Sequence, residues 1–326
     1  MRAALCRSYG PPESVTVEDV PSPVLGAGQA RVRVAAAAVN FPDVLLVAGE
    51  YQIKVPPPFV PGSELAGEVV EVAADTAAPT VGQRVFGSTM VGAFAEEAVV
   101  DATSLVPVPD GIAFDVAAAF GVAHRTAYHV LRSVARLERG EQLVVLGAGG
   151  GVGLAAVQLG ALLGGQVTAV ASSTQKLEVA ARFGATNLVD HSPGELRQAL
   201  RDALPDGADV VVDPVGGALA EPALRSLRYG GRFVTVGYAS GEIPRIPLNL
   251  VLLKGVHVLG FQFADFAAHM TVELLRNEAE LLELLEAGRA FPHVGATFAL
   301  EEAPEALRFV ADGRAVGKVV LEVAGR

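Results

Sequence analysis

The residues with the clearest chemical potential form a glycine-rich run between an apolar strand and a helix. Five glycines occur in Val144-Val145-Leu146-Gly147-Ala148-Gly149-Gly150-Gly151-Val152-Gly153-Leu154. Glycine lets the backbone approach a pyrophosphate closely, while N–H groups at the start of the following helix stabilise negative charge. A flexible loop is the alternative, but the flanking strand and helix favour a dinucleotide-binding turn. The predicted contacts are Gly149, Gly150, Gly151 and Val152.

The strand after this turn ends in Ala171-Ser172-Ser173-Thr174-Gln175-Lys176. Sites that prefer NAD usually carry Asp or Glu there, about 20 residues beyond the turn, to bind the ribose 2′-hydroxyl. Here Ser172, Ser173 and Lys176 can instead bind a 2′-phosphate, which a carboxylate would repel. We therefore predict NADPH, although Lys176 as a solvated helix residue remains an alternative. His191 follows the next strand and is either an adenosine contact or a surface histidine.

The composition excludes several classes of partner. Hydrophobic residues make up 51% of the chain and charged residues 19%, a balance typical of packed globular proteins. The net charge of −11 and pI near 5.1 argue against binding to nucleic acid or anionic membranes. One cysteine, Cys6, precludes an intramolecular disulfide, and the sequence shows no secretion signal or membrane span. We expect a cytoplasmic protein.

Two different sequence patterns along the chain predict two domains of an α/β protein. Up to about Ala102, short strands such as Gln29 to Ala35 are separated by Pro and Gly clusters, which indicates a β-rich or barrel-like domain. After Asp110, apolar strands alternate with helices, which predicts a doubly wound parallel sheet. Its first unit is the strand Gln142 to Leu146, the helix Val152 to Leu163 and the strand Gln166 to Ala171. A helix from Ala267 to Ala287 and a strand from Lys318 to Glu322 follow later.

Ordered motifs along the whole chain carry a family resemblance. They are Asn40-Phe41-Pro42-Asp43, Pro61-Gly62-Ser63-Glu64-Leu65-Ala66-Gly67, Gly147 to Gly153, Thr126-Ala127-Tyr128-His129, Asp213-Pro214-Val215-Gly216-Gly217, Gly237-Tyr238-Ala239-Ser240-Gly241 and Gly317-Lys318-Val319-Val320-Leu321. The chain resembles the quinone oxidoreductase, zeta-crystallin-like branch of the medium-chain dehydrogenase/reductase superfamily.

The resemblance implies a GroES-like catalytic domain, residues 1–122 and 265–326, and a Rossmann domain, residues 123–264, with the active site in the cleft between them. It also implies a homodimer paired through an edge strand, here Val256 to Phe261. Zinc-dependent relatives have a Cys within the stretch aligned with Asn40 to Asp43 and a His at Ser63. Because both ligands and the four-cysteine zinc lobe are missing from the sequence, we expect no metal.

The family pattern assigns the remaining site residues. Asn40 and Asp43 are implied to border nicotinamide and substrate, although Asn40 as a helix cap and Asp43 in a first helical turn are equally open interpretations. Thr126 is implied to contact the nicotinamide amide, or else bonds its own helix. Lys318 is expected to border the cleft. Further implied cofactor contacts are Val215, Gly237, Tyr238, Ala239, Ser240, Phe261, Gln262 and Phe263.

Three other positions depart from the family pattern. The family often has Tyr where this chain has Leu45, so a potential proton donor is lost there. Tyr51 lies nearby in sequence as a substitute, or as a half-buried structural residue. His124 and Arg125 are either a local specificity feature or an exposed helix start.

These observations lead to one hypothesis and two rivals. The hypothesis is hydride transfer from NADPH to a quinone, in which the protein contributes mainly positioning and solvent or Asp43 handles the proton. The rivals are reduction of a conjugated C=C bond in an enal, enone or acyl-CoA thioester, and a non-catalytic NADPH-binding role.

Overall fold

The computed structural model describes residues 1–192 and 195–323. The strands are β1 Arg2–Cys6, β2 Val15–Asp19, β3 Gln29–Val39, β4 Glu64–Val72, β5 Arg84–Ser88, β6 Glu97–Asp101, β7 Leu105–Pro107, β8 Gln142–Leu146, β9 Gln166–Ala171, β10 Asn187–Asp190, β11 Ala208–Asp213, β12 Leu227–Thr235, β13 His257–Gly260, β14 Val294–Ala299 and β15 Lys318–Glu322.

The helices are α1 Phe41–Ala48, α2 Phe114–His129, α3 Gly151–Leu162, α4 Thr174–Arg182, α5 Leu196–Ala203, α6 Ala220–Ser226, α7 Leu248–Lys254, α8 Phe263–His269, α9 Thr271–Glu286 and α10 Ala303–Ala311. A π-helical stretch, Val130–Val134, continues α2. Short 3-10 turns are Pro12–Ser14, Ala102–Ser104, Gly217–Leu219 and Leu300–Glu302.

Contacts divide the chain into two compact units. Unit 1 contains Met1–Val122 and Phe291–Arg326, and unit 2 contains Ala123–Ala290. Residues 265–290 therefore belong with unit 2, whereas the sequence analysis grouped them with the N-terminal domain. The reason is a set of polar side chains: Tyr128 on α2 and Arg132 after it both donate to Glu280 on α9.

Unit 1 is built on a sheet with the strand order β14-β15-β3-β4-β5-β7, and β6 also pairs with β3. The last strand, β15, pairs antiparallel with β3 on one side and parallel with β14 on the other. Alternate residues of β3, including Val32 and Val34, are fully buried, as expected for a strand with one face on a core. The ends of the chain thus share one sheet.

Unit 2 contains the parallel sheet, with the order β10-β9-β8-β11-β12-β13. The chain starts at the centre, winds outward to β10, returns to the centre at β11 and winds to the opposite edge. This is the order of a Rossmann sheet. Leu143 to Leu146 are fully buried, because helices cover both faces of a doubly wound sheet. The expected α/β fold, GroES-like plus Rossmann, is confirmed.

The predicted helix from Ala267 to Ala287 is in fact two helices. It divides at Met270, whose φ of −121° and ψ of 48° are not helical, and this gives α8 and α9. The hydrophobic periodicity does not reveal this break because the apolar pattern continues through it. Among the described residues, no helix combines the length and apolar character needed to cross a bilayer.

Candidate functional site

The glycine-rich run forms the turn between β8 and α3, at the point where the strand order of the sheet reverses. Gly147 has a φ of 59°, and the N–H of Gly150 donates to the carbonyl of Gly147 at 2.9 Å. Helix α3 begins at Gly151 without a side-chain cap on its first N–H groups. A parallel sheet binds dinucleotides at such a switch point, where helix N–H groups meet the pyrophosphate.

Two positions in this turn require glycine for different structural reasons. A Cβ at Gly153 would lie 2.0 Å from the carbonyl oxygen of Gly147, so the close packing of α3 on the turn requires glycine there. A Cβ at Gly149 would lie 2.5 Å from Cβ and Cγ of Lys176. The aliphatic stem of Lys176 therefore lies directly against the turn, and burial lowers the pKa of its amine.

The serines and Lys176 follow β9, next to β8 in the sheet. Ser173 caps α4 by accepting from the N–H of Lys176 at 3.4 Å, and Lys176 Nζ lies 3.5 Å from Ser172 Oγ. His191 follows β10, and its N–H donates to the carbonyl of Ala171. The carboxyl end of β9 thus presents two hydroxyls and an ammonium group beside the glycine-rich turn.

The other predicted contacts lie at the same edge of the sheet. Val215 follows β11, Gly237 to Ser240 follow β12, and Phe261 to Phe263 follow β13. The N–H of Ser240 donates to the carbonyl of Val215 at 2.9 Å, which joins two of these loops. Thr126 lies on α2 and is partly exposed. The structure therefore gathers at one edge the predicted cofactor contacts that follow the strands.

Asp213, at the end of β11, shapes this edge although the sequence analysis did not assign it a role. Its Oδ1 accepts from the N–H groups of Val215 and Gly216, each at 2.8 Å. Its Oδ2 is buried and has no hydrogen-bond partner among the described residues. Burial raises the pKa of Asp213, against the two N–H groups that lower it. The carboxyl group therefore holds the loop that contains Val215 in a tight turn.

In unit 1 three strand ends converge on the predicted catalytic residues. In the antiparallel register, Ala38 of β3 faces Glu64 of β4, and Val39 faces Val319 of β15. The residue after β3 is Asn40, and the residue before Val319 is Lys318. This register brings Asn40, Glu64 and Lys318 together from distant parts of the sequence.

These three residues, with Asp43, form a buried polar cluster. Lys318 Nζ donates to Asn40 Oδ1 at 2.5 Å and also bonds to Glu64 Oε1. Asn40 Nδ2 donates to the same Glu64 oxygen at 2.9 Å, and Glu64 Oε2 accepts from the N–H of Val122 at 2.8 Å. Glu64 is 0% exposed and Lys318 is 3% exposed. Their opposite charges therefore neutralise each other away from solvent.

Asp43 occupies the first turn of α1. Its Oδ2 accepts from the backbone N–H of Asn40 at 2.8 Å, while the Asn40 side chain points to Glu64 and Lys318. Burial raises the pKa of Asp43 to about 7, against the Asn40 N–H, Ser63 and the charge of Lys318, which lower it. Burial, and secondarily the charge of Asp43, raise the pKa of the half-buried Tyr51. Asp43 can thus change its protonation near neutral pH.

The donors of this cluster do not fit a catalytic zinc ion. Ser63 contributes a hydroxyl 3.3 Å from Asn40 Nδ2, and the lysine ammonium of Lys318 already bonds to Glu64. Zinc sites use thiolate, imidazole or free carboxylate ligands. Within residues 1–192 and 195–323, no cluster of three or more His, Cys, Asp or Glu side chains suited to a metal is found.

Glu64 and Lys318 are not among the catalytic residues predicted from the sequence, although both stand in motifs. Only the strand register shows that they contact Asn40. The one available signal was the pairing of an acidic and a basic residue, each at the start of an apolar strand.

Comparison with known proteins relates this arrangement to two family models. The model described as "Alcohol dehydrogenase GroES-like domain" matches residues 26–110, and that described as "Zinc-binding dehydrogenase" matches residues 151–281. Quinone oxidoreductase-like protein 2 of Bos taurus is 35% identical over 324 residues, which cover 99% of this chain and 92% of the relative.

Two solved structures share the fold over nearly their whole length. The quinone oxidoreductase of Thermus thermophilus, solved also as its NADPH complex, is 31% identical with a TM-score of 0.86, covering 99% of this chain and 100% of that one. The Escherichia coli quinone oxidoreductase complexed with NADPH is 25% identical with a TM-score of 0.91, at the same coverage.

Removing the ammonium group of the buried cluster should destabilise the protein. In Lys318→Met, Glu64 is left as an unpaired buried charge, and we expect a loss of about 3–5 kcal/mol in the free energy of unfolding. Urea denaturation measures this loss. The double variant Lys318→Met/Glu64→Gln should recover most of it, because the remaining amide is neutral. A double variant no more stable than the single one would contradict the charge argument.

The raised pKa of Asp43 predicts a pH-dependent stability. Since the folded pKa of about 7 exceeds the unfolded one, the contribution of protonated Asp43 to stability is fully present below about pH 4 and is lost as the pH rises through 7. Asp43→Asn removes this loss, so relative to wild type it should gain roughly 4 kcal/mol between pH 4 and pH 9. Denaturation at a series of pH values tests this. The exposed Asp110→Asn serves as the control, and an unchanged pH profile in Asp43→Asn would contradict the prediction.

Proposed function

The chain belongs to the quinone oxidoreductase-like family of the medium-chain dehydrogenase/reductase superfamily, and we propose that it reduces a quinone with NADPH, without zinc. It is an NADPH-dependent oxidoreductase, and the quinone and the independence from zinc are the proposed steps beyond that. The choice of NADPH within this proposal depends most on one observation: Ser172, Ser173 and Lys176 stand at the carboxyl end of β9, beside the glycine-rich turn.

The choice of cofactor follows from the charges at that position. The 2′-phosphate of NADPH needs hydrogen-bond donors and a cation, and a carboxylate would repel it. Lys176 is held against Gly149, so its amine lies close to the glycine-rich turn. The N–H groups at the start of α3 supply the second anion site.

When bound, NADPH supplies a hydride from its nicotinamide ring. The residues of this chain contribute positioning. We assign Val215, held by Asp213, and Phe261 to Phe263 to the walls of the nicotinamide site, with Thr126 at the nicotinamide amide. Rigid walls matter because hydride transfer requires donor and acceptor carbon atoms in near contact.

We assign a quinone as the acceptor because the polar groups around Asn40 do not form a ligand set that fits zinc. The polar groups around Asn40 are amide, hydroxyl and carboxylate groups, and the cation among them is Lys318. A quinone accepts hydride without metal assistance, whereas an unactivated ketone or aldehyde needs its carbonyl polarised. The carboxyl group of Asp43, with a pKa of about 7, is partly protonated at neutral pH and can supply the proton that, with the hydride, completes a hydroquinone.

The test is oxidation of NADPH and NADH, followed at the nicotinamide absorbance in chelator-treated buffer. We expect turnover with 1,4-benzoquinone or 9,10-phenanthrenequinone, and a preference for NADPH. In Lys176→Met, kcat/KM for NADPH should fall roughly tenfold to a hundredfold, since a hydrogen bond to a charged group contributes about 1.5–3 kcal/mol. The value for NADH should stay unchanged.

The other outcomes separate the rivals. Turnover with crotonyl-CoA but not with quinones would replace the proposal by reduction of a conjugated C=C bond. NADPH binding without oxidation by any acceptor would indicate a non-catalytic role. Loss of quinone turnover on chelation, restored by zinc, would overturn the metal-free mechanism.

We propose further that the protein is a cytoplasmic homodimer paired through β13. This strand is at the edge of the parallel sheet and leaves Val258 45% exposed. Leu252 and Leu253 of the preceding helix α7 are 81% and 76% exposed. An unprotected edge strand with apolar side chains beside it is a template for pairing with a second copy. The single cysteine, Cys6, is free, as is common in a reducing compartment.

A lysine in the edge strand should prevent this pairing. Val258→Lys places a charge at the centre of the proposed interface, and charged side chains block strand addition. Sedimentation should show wild type at twice the chain mass of 33.6 kDa and the variant at the chain mass. Val24→Lys, at a residue that is 91% exposed in unit 1, is the control. A wild-type monomer would refute the dimer.

A further inference from the structure

One carboxylate on α9 connects two parts of the proposed nicotinamide site. Glu278 Oε1 accepts from Arg125 Nε at 2.8 Å and lies 2.9 Å from His129 Nε2. Arg125 and His129 are four residues apart on α2, so they lie one above the other on the same face of the helix. Thr126 lies between them in sequence. Because Glu278 contacts two successive turns, it fixes the rotation of α2 about its axis.

The tautomer of His129 follows from its second neighbour, Asn277. Asn277 Nδ2 lies 3.0 Å from His129 Nδ1, and the Asn277 carbonyl is oriented by Arg276, whose Nη2 donates to Oδ1 at 3.0 Å. An amide NH₂ group can only donate, so Nδ1 of the imidazole is the acceptor. Nε2 therefore carries the hydrogen and donates to Glu278. The histidine is 1% exposed, and its tautomer and its partner are both determined by this network.

The same two α2 side chains also contact the segment after β13. The His129 ring lies between 4.8 and 6.3 Å, centroid to centroid, from the rings of Phe261, Phe263 and Phe266. The Arg125 guanidinium lies 4.6 Å from the centre of the Phe263 ring. Arg125 and His129 thus contact the aromatic wall with one part of each side chain and Glu278 with another.

The electrostatics agree with a fixed, ionised carboxylate. Burial raises the pKa of Glu278, but the hydrogen bond from His129 and the charge of Arg125 outweigh it, and the pKa stays below its usual range. Hydrogen bonds to an ionised group are among the strongest in proteins. The contacts of Glu278 are therefore suited to holding α2 and the aromatic segment in one arrangement.

We propose that Glu278 is a positioning residue for the nicotinamide end of the cofactor site. It acts through Arg125 and His129, which together set the direction of Thr126 and the placement of Phe261 and Phe263. This inference rests on the proposed NADPH-dependent function. It assigns to Glu278 no contact with the substrate or the cofactor.

The test compares two ligands that reach different ends of the site. NADPH spans the whole site, whereas adenosine 2′,5′-bisphosphate reaches only the end assigned to Ser172, Ser173 and Lys176. In Glu278→Gln the group at this position becomes neutral, so the hydrogen bonds from Arg125 and His129 lose the charge that strengthens them. Isothermal titration calorimetry should show the Kd for NADPH raised about tenfold, which is about 1.4 kcal/mol. The Kd for the bisphosphate should stay within about twofold.

Matched variants exclude a merely structural effect. Glu286→Gln, on the exposed face at the end of the same helix, should bind both ligands as wild type does. Arg125→Gln should reproduce the selective loss of NADPH affinity. Equal weakening of both ligands would show general loosening of unit 2, and unchanged NADPH affinity in Glu278→Gln would show no role; either result overturns the inference. Wild type that binds neither ligand would instead refute the proposed function.

Discussion

The ion pair of Glu64 and Lys318 is the constraint on which unit 1 depends. Neither charge is accessible to solvent, so each can be retained only because the other neutralises it and because Asn40 and the N–H of Val122 satisfy the remaining hydrogen bonds. The pair joins the start of β4 to the start of the last strand, β15. The C-terminal segment is therefore a structural part of the cluster that surrounds Asn40, even though it lies 278 positions away.

Unit 2 solves a different problem with backbone geometry. A dinucleotide requires anion binding in a protein with a net charge of −11, so the attraction has to be local. In the proposed site, N–H groups of the glycine-rich turn at the end of β8 provide this attraction, and Lys176, whose stem lies against Gly149, adds one cation. The carboxylates of Asp213 and Glu278, by contrast, contact other groups of the protein. Asp213 fixes the Val215 loop, and Glu278 fixes α2.

The two units differ in how they use charged groups. In unit 1 the polar cluster around Asn40 is organised by hydrogen bonds and by the ion pair of Glu64 and Lys318. In unit 2 the carboxylate of Glu278 is bound by Arg125 and His129, which also contact phenylalanine rings. In both cases one buried or half-buried ion orders several neighbours, because an unmatched charge in such a place is costly.

The sequence by itself determined the elements with strong local patterns. The buried strand Gln142 to Leu146, the glycine-rich turn, the strand Gln166 to Ala171 and the final strand Lys318 to Glu322 all have the predicted bounds, because glycine chemistry and apolar runs are local properties. The absence of Asp and Glu directly after β9, which favours NADPH, is also read from the sequence alone. The break at Met270 and the grouping of residues 265–290 with unit 2 were not, since both depend on packing rather than on periodicity. Only the tertiary structure decided that Lys318 and Glu64 contact Asn40, and that Glu278 contacts Arg125 and His129. Contacts between residues far apart in sequence follow from strand register and helix packing, and no single-sequence pattern encodes either.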